Sequence, residues 1–235
     1  MQFFEKNEPL GLELIMSRFP YLSNILGLYK HLDINFDVDE RVIKLHSKYS
    51  NPISTNIESE LDYHKKFFFK NSLHKQPLAK ALGLKKGTPP PCVLDVTAGM
   101  LGDTLLIYSF GCKVRALERH PIAYILSANA LTENGIDITL EFRDAKTIES
   151  PVAVAYFDPM YSEKNEKSLP KKEMRIFRDV VGVDSDAIDT AVHLQSFCKR
   201  LVIKRSIKGA PLVENPSMTI KGKSTAYDVY LNLDM

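Results

Sequence analysis

Between residue 92 and the C-terminus, apolar positions gather in short dense blocks: Cys92–Val96, Lys113–Leu117, Ile138–Phe142, Val152–Phe157 and Leu201–Lys204. Blocks of that length, rich in branched aliphatic residues, have the signature of buried strands. Between them the spacing turns helical over Leu105–Phe110, Lys171–Val181 and Ala187–Phe197. Alternation of this kind predicts an α/β fold around a mostly parallel sheet. The chain closes with Met218–Ser224 and Tyr227–Leu231, which read as an antiparallel hairpin. Residues 1–60 form a small N-terminal extension whose role is not legible, with a helical stretch at Leu12–Arg18 and a strand at Arg41–Leu45. A basic connecting segment, 61–91, ends in Pro89-Pro90-Pro91, a rigid entry into the main domain at 92–235.

Four predicted strands end in residues with chemistry, and ligands of open α/β sheets bind at the carboxyl ends of strands. The first runs into Asp95-Val-Thr-Ala-Gly99, then Gly102 and Asp103 at the start of a helix. Glycines there admit close backbone approach, and the helix start offers free N–H groups. The spacing is not Gly-x-Gly-x-x-Gly, which weakens a nicotinamide or flavin reading. The second strand ends in Glu118, placed to accept bonds from ribose hydroxyls. A third ends at Arg143-Asp144-Ala145, and the fourth at Asp158-Pro159-Met160-Tyr161. In that last motif two acceptors, the Asp158 carboxylate and the Pro159 carbonyl, suit the two N–H groups of an exocyclic amine, and Tyr161 offers a stacking face. Each acid taken singly is also explained as a solvated strand end, and Asp-Pro as a turn. The series of four favours a site.

These motifs, with Leu117-Glu118-Arg119-His120-Pro121, Lys171-Lys172-Glu173-Met174-Arg175 and Val202-Ile203-Lys204-Arg205, resemble the bacterial ribosomal small-subunit methyltransferase J family from about Asp62 onward. The resemblance implies a Rossmann-like methyltransferase sheet, S-adenosylmethionine as cofactor, and methyl transfer to the N2 amine of one guanine in small-subunit ribosomal RNA, free or assembled. It places Gly102, Asp103, Glu118, Arg119, Asp144, Ala145 and Asp158 at cofactor-binding positions, joined by Asp95 and Gly99 of the loop. The catalytic residues expected are Asp158, Pro159 and Tyr161. Two departures stand out. The family's glycine-rich stretch after its His-basic-basic motif is replaced by His64-Lys65-Lys66-Phe67-Phe68-Phe69, a stiffer, more apolar loop, and Met100-Leu101-Gly102 stands where Gly-x-Arg is usual.

Net charge, +2, says little about the substrate, but its distribution says more. Seven lysines and no acid lie between His64 and Lys86, and seven Lys or Arg face only Glu214 between Ser196 and Thr225. Such runs are ordinarily solvated faces, yet flanking a base-binding site they suit a phosphate backbone. Lys65, Lys66, Lys171, Lys172, Arg175, Lys204 and Arg205 are the candidate RNA contacts. Cys92, Cys112 and Cys198 form neither a metal spacing nor a disulfide framework, and no apolar run approaches the roughly 18 residues of a membrane span. A cytoplasmic protein without a metal is therefore expected. The competing readings are an amino-methyltransferase acting on DNA adenine or protein glutamine, a Rossmann dehydrogenase, and a non-catalytic RNA-binding module.

Overall fold

The computed structural model describes residues 19–22, 34–39, 42–47, 50–70, 72–160, 182 and 184–233. Its centre is a seven-stranded sheet of order β6-β5-β4-β7-β8-β10-β9. The strands are β4 (Cys92–Asp95), β5 (Lys113–Glu118), β6 (Thr139–Phe142), β7 (Val152–Phe157), β8 (Cys198–Ser206), β9 (Met218–Lys221) and β10 (Thr225–Leu231). β6 through β8 pair in parallel, and β10 pairs antiparallel with both β8 and β9. The expected mostly parallel sheet with an antiparallel closing hairpin is what forms. After β4 the chain builds outward through β5 and β6, then returns to lay β7 on the other side of β4. That reversal opens a crevice at the carboxyl ends of β4, β5 and β7.

The crossover helices are α3 (Gly102–Ser109), α4 (Pro121–Glu133) and α5 (Ala187–Phe197). Pro121 sits in the first turn of α4, where its missing N–H costs nothing and its fixed φ favours helix. Helix α4 is apolar around most of its circumference, with Ile122, Ala123, Ile125, Leu126 and Ala130 all buried. A helix like that needs cover on two sides. The sheet covers one, and an N-terminal three-stranded antiparallel sheet covers the other: β1 (Ile34–Asp39), β2 (Val42–Ser47) and β3 (Ser50–Ile53). Ile43, Leu45 and Ile53 join Phe19 and Leu22 against Ile122, Ile125 and Leu126 in one cluster. Asn129 of α4 accepts the Ile43 N–H at 2.9 Å and so satisfies a buried donor.

The basic stretch after residue 57 differs from expectation. His64-Lys65-Lys66-Phe67-Phe68-Phe69 is the second half of a helix, α1 (Ile57–Lys70), followed by a 3₁₀ turn at Leu73–Lys75 and the short α2 (Pro77–Ala81). Asn56 caps α1, its side-chain oxygen accepting the Ser59 N–H at 3.0 Å. Ile57, Leu61 and Phe68 fall at helical spacing and pack on the main core, while Tyr63, Lys65, Lys66 and Phe67 face outward. Phe68 thus joins the inward face of a helix, with Phe67 on its outer face. No helix among the described residues is long and apolar enough to cross a membrane.

Candidate active site

The crevice is a cavity of about 910 Å³, within the range of small-molecule sites. Its floor is the β4–α3 loop. Gly99 and Leu101 both adopt left-handed φ, +51° and +66°, which curls the loop around open space; for the buried Leu101 that conformation is strained. A Cβ built on Gly102 would meet nothing within 4 Å, so the first turn of α3 also faces empty volume. Asp95 lies beneath. Its carboxylate accepts the Thr97 N–H at 3.0 Å and the Thr104 hydroxyl at 2.6 Å, and it is not part of the cavity wall. Burial pushes its pKa up to about 7, the two hydrogen bonds acting against that rise. Asp95 ties the start of the loop to Thr97 and to Thr104 of α3.

Glu118, at the end of β5, accepts the Gly99 N–H at 2.8 Å and the His120 N–H at 2.6 Å. These two bonds fall on different oxygens, and the Arg119 N–H also bonds the carboxylate, whose two oxygens still keep lone pairs for further donors. Burial raises its pKa while these bonds hold it down. Arg119 beside it grips Asp186 with both guanidinium nitrogens at 2.9 Å, bonds Asp184, and lies 3.6 Å from Asp144. Those bonds, Asp186 foremost, hold the Arg119 pKa above its ordinary value. Asp184 in turn accepts the Met160 N–H at 2.7 Å and returns its own N–H to the Met160 carbonyl at 2.7 Å. A charged strap therefore ties the end of β5 to the chain just after β7. Asp144 caps the turn at Ala145–Thr147 by accepting the Lys146 N–H at 2.8 Å, and Asp144 and Ala145 both line the cavity.

Asp158 stands at the end of β7 with 38% of its side chain accessible and lines the cavity. Its backbone N–H donates to Thr97 Oγ1 at 2.8 Å. Lys204 Nζ donates to Asp158 Oδ2 at 2.9 Å and to Asp103 Oδ2 at 2.6 Å, and the Tyr156 hydroxyl donates to the same Asp103 oxygen. Burial lifts the Asp158 pKa to about 6, with the Lys204 charge opposing and Asp103 adding to the rise. Pro159 is buried behind Asp158, and the wall at that point is made by Asp158 and Met160. Among the described residues, no group of three or more side chains could hold a metal ion.

A family model described as "Putative SAM-dependent methyltransferase" matches residues 30–232. Two relatives called ribosomal RNA small subunit methyltransferase J, from Thioalkalivibrio sulfidiphilus and Pseudoalteromonas translucida, are 39% and 41% identical. Each alignment covers 68% of this chain and 69% of the relative. The chain belongs to the ribosomal RNA small-subunit methyltransferase J family. A crystal structure of an S-adenosylmethionine-dependent methyltransferase from Neisseria gonorrhoeae shares the fold, with a TM-score of 0.64, 21% identity and coverage of 87% of this chain and 85% of that one.

The cofactor of this family fits the crevice. Its amino-acid end needs a glycine-lined floor and N–H groups, which the Gly99–Gly102 turn could offer, and its ribose needs a buried carboxylate at the next strand end, which Glu118 could offer. The RNA-facing expectations divide. Lys65 and Lys66 are exposed on α1, whereas Tyr161, Lys171, Lys172, Arg175 and the helix expected at Lys171–Val181 lie outside the described residues. Arg205 is a correction. It is 8% exposed and bonded to Asp228 at 2.6 and 3.1 Å, with the Ser206 and Gly209 carbonyls on its remaining nitrogen, so no phosphate reaches it. Lys204 is spent inside the cavity, not on the surface. Sequence reasoning also missed Thr97, Tyr156, Asp184 and Asp186. The Asp184–Asp186 pair just before a predicted helix was the available signal; nothing local marked the other two.

Proposed function

We propose that the protein transfers a methyl group from S-adenosylmethionine to the exocyclic N2 amine of a guanine in small-subunit ribosomal RNA. The single observation that carries this reading is the Asp158 carboxylate, held at the end of β7 and opening onto the same cavity as the glycine turn and Glu118. The names of the relatives support ribosomal RNA as the acceptor, and the same reading makes this a cytoplasmic protein that meets the RNA free or in the small subunit.

When bound, the cofactor supplies a methyl group already activated by its sulfonium. The protein's task is then positioning and exclusion of water. In this reading Gly99, Gly102 and Asp103 hold the amino-acid end, and Glu118 accepts the ribose hydroxyls. Asp144 and Ala145 border the adenine. Asp158 accepts an N–H of the guanine amine, fixing its lone pair toward the methyl, and the Pro159 carbonyl and Tyr161 ring complete the grip. Arg119 acts at one remove, by fixing Asp144 and the strap at Asp184 and Asp186. The exposed Lys65 and Lys66, with Lys171, Lys172 and Arg175, take the phosphates.

Parallel incubations of methyl-labelled cofactor with small-subunit ribosomal RNA, with DNA and with protein, followed by mapping of the modified residue, test the reading. Label in a single guanine at N2 supports it. Label in DNA adenine or a protein glutamine instead would reassign the acceptor, and cofactor binding without transfer to any acceptor would leave an RNA-binding module.

A further inference from the structure

The basic motif at Val202-Ile203-Lys204-Arg205 reads in sequence as a phosphate contact, but neither charge does that job in the fold. Arg205 is locked to Asp228, and Lys204 points across the sheet into the cavity. There it meets a sequence of restraints. Tyr156 is fully buried on the central strand, and its hydroxyl needs a partner, which is Asp103. That bond orients Asp103, whose Oδ2 holds Lys204 Nζ at 2.6 Å, and the same ammonium reaches Asp158 Oδ2 at 2.9 Å.

We propose that Lys204 is a positioning residue for methyl transfer: its ammonium clamps Oδ2 of Asp158, keeping the carboxylate ionised and turning Oδ1 toward the acceptor amine. The inference rests on the guanine-amine reaction above and names the group that prepares its key carboxylate. Asp158 is held by Lys204 from β8 and lies within electrostatic reach of Asp103 from α3, Asp184 from the chain before α5, Asp95 from β4, and the Tyr156 and Tyr227 hydroxyls from β7 and β10. His64 of α1 lies within electrostatic reach of Asp103. Asp158 thus feels three acidic side chains and two phenols, and Lys204 is the ammonium in hydrogen-bond contact with it. Without that cation, like-charge repulsion and burial both favour protonated Asp158, and a protonated oxygen facing the amine would donate where it must accept. As the nitrogen–carbon bond forms and the carbon–sulfur bond breaks, the sulfonium charge passes to the base nitrogen. Its surplus proton then leaves to Asp158 or to water, and of the two states of Asp158 only the ionised one both orients the amine and can accept that proton.

The test measures two quantities in wild type, K204M and K204R: the pH profile of single-turnover methylation with ribosomal RNA at saturation, and the titration midpoint of Asp158 in the free protein. The midpoint is followed by NMR of carboxyl-labelled aspartate, with the D158N variant assigning the signal. K204M is expected to move both the acid limb of the profile and the NMR midpoint upward by about one pH unit, which lowers the ionised fraction, and with it the rate at pH 7, about twofold. K204R should keep both near their wild-type positions. If K204M does not fold, K204Q takes its place. An unmoved midpoint overturns the proposal, as does a uniform loss of rate with an unmoved acid limb, which would make Lys204 only a structural tie. If the wild type transfers no methyl to RNA, the functional reading fails, while the NMR midpoint still decides whether Lys204 sets the state of Asp158.

Discussion

Strand β8 carries Lys204 and Arg205 side by side, and alternation sends them to opposite faces of the sheet. On the cavity face Lys204 lies between Asp103 and Asp158, with 24% of its side chain accessible. On the other face Arg205 meets Asp228 of β10, itself fully buried and also receiving the Thr219 hydroxyl at 2.6 Å. Both clusters join a strand cation to carboxylates at hydrogen-bond distance. They differ in closure: the guanidinium of Arg205 is filled by Asp228 and two backbone carbonyls, whereas the Asp158 side of the other cluster opens onto a cavity large enough for a ligand. The closed pair is structural. The open one keeps a carboxylate on offer, at the expense of a pKa lifted by burial.

The largest effect should come from breaking the closed pair. Arg205→Ala leaves Asp228 buried without its cation and should lower unfolding free energy by about 3–5 kcal/mol, read by denaturant titration. The salt dependence of RNA binding by the folded fraction should not change. A flattened salt slope with stability intact would make Arg205 a phosphate contact after all and erase the contrast between the two faces.

On the open side, Asp158→Asn should reduce single-turnover methylation at least ~100-fold, the scale of a lost organising electrostatic contact. It exchanges an acceptor for a donor that confronts the amine's own hydrogens, while stability should change far less than in Arg205→Ala. In the wild type, transfer should fall as pH drops through about 6, because Asp158's raised pKa means protonation there removes the acceptor. A folded Asn variant working at the wild-type rate would show the open cluster to be no more chemical than the closed one.

Glu118→Ala should weaken cofactor binding by roughly 1–3 kcal/mol, the value of hydrogen bonds to a charged partner. Calorimetry with the folded variant measures this. Because Glu118 also holds the Gly99 and His120 N–H groups, Glu118→Gln separates lost charge from a relaxed loop. Equal affinity in all three proteins would remove Glu118 from the ribose. The smallest effect belongs to the surface: Lys65→Ala with Lys66→Ala should reduce the slope of log affinity against log salt by about 0.7–0.9 for each phosphate released, with kcat at saturating RNA unchanged. An unaltered slope would leave α1 an ordinary solvated face.

The sequence alone determined the order of the strands from residue 92 onward, the acids at successive strand ends and the family, because these are local: a buried-strand block, a glycine turn and a terminal carboxylate are each written in fewer than about ten neighbouring residues. The α1 stretch misled because Phe67-Phe68-Phe69 was judged by its run, not its period; Ile57, Leu61 and Phe68 give the helical face only when counted back to the Asn56 cap. Three things required the tertiary structure. The N-terminal strands are an integral cover for α4, which follows from where Ile43 and Leu45 land and not from their own pattern. Asp184 and Asp186 reach Arg119 from more than 60 residues away. The opposite fates of Lys204 and Arg205 depend on which carboxylates α3, β7 and β10 bring to each face. Charge type is a local property, but whether a charge is filled, open or solvated is set by partners distant in sequence, and only folding brings those together.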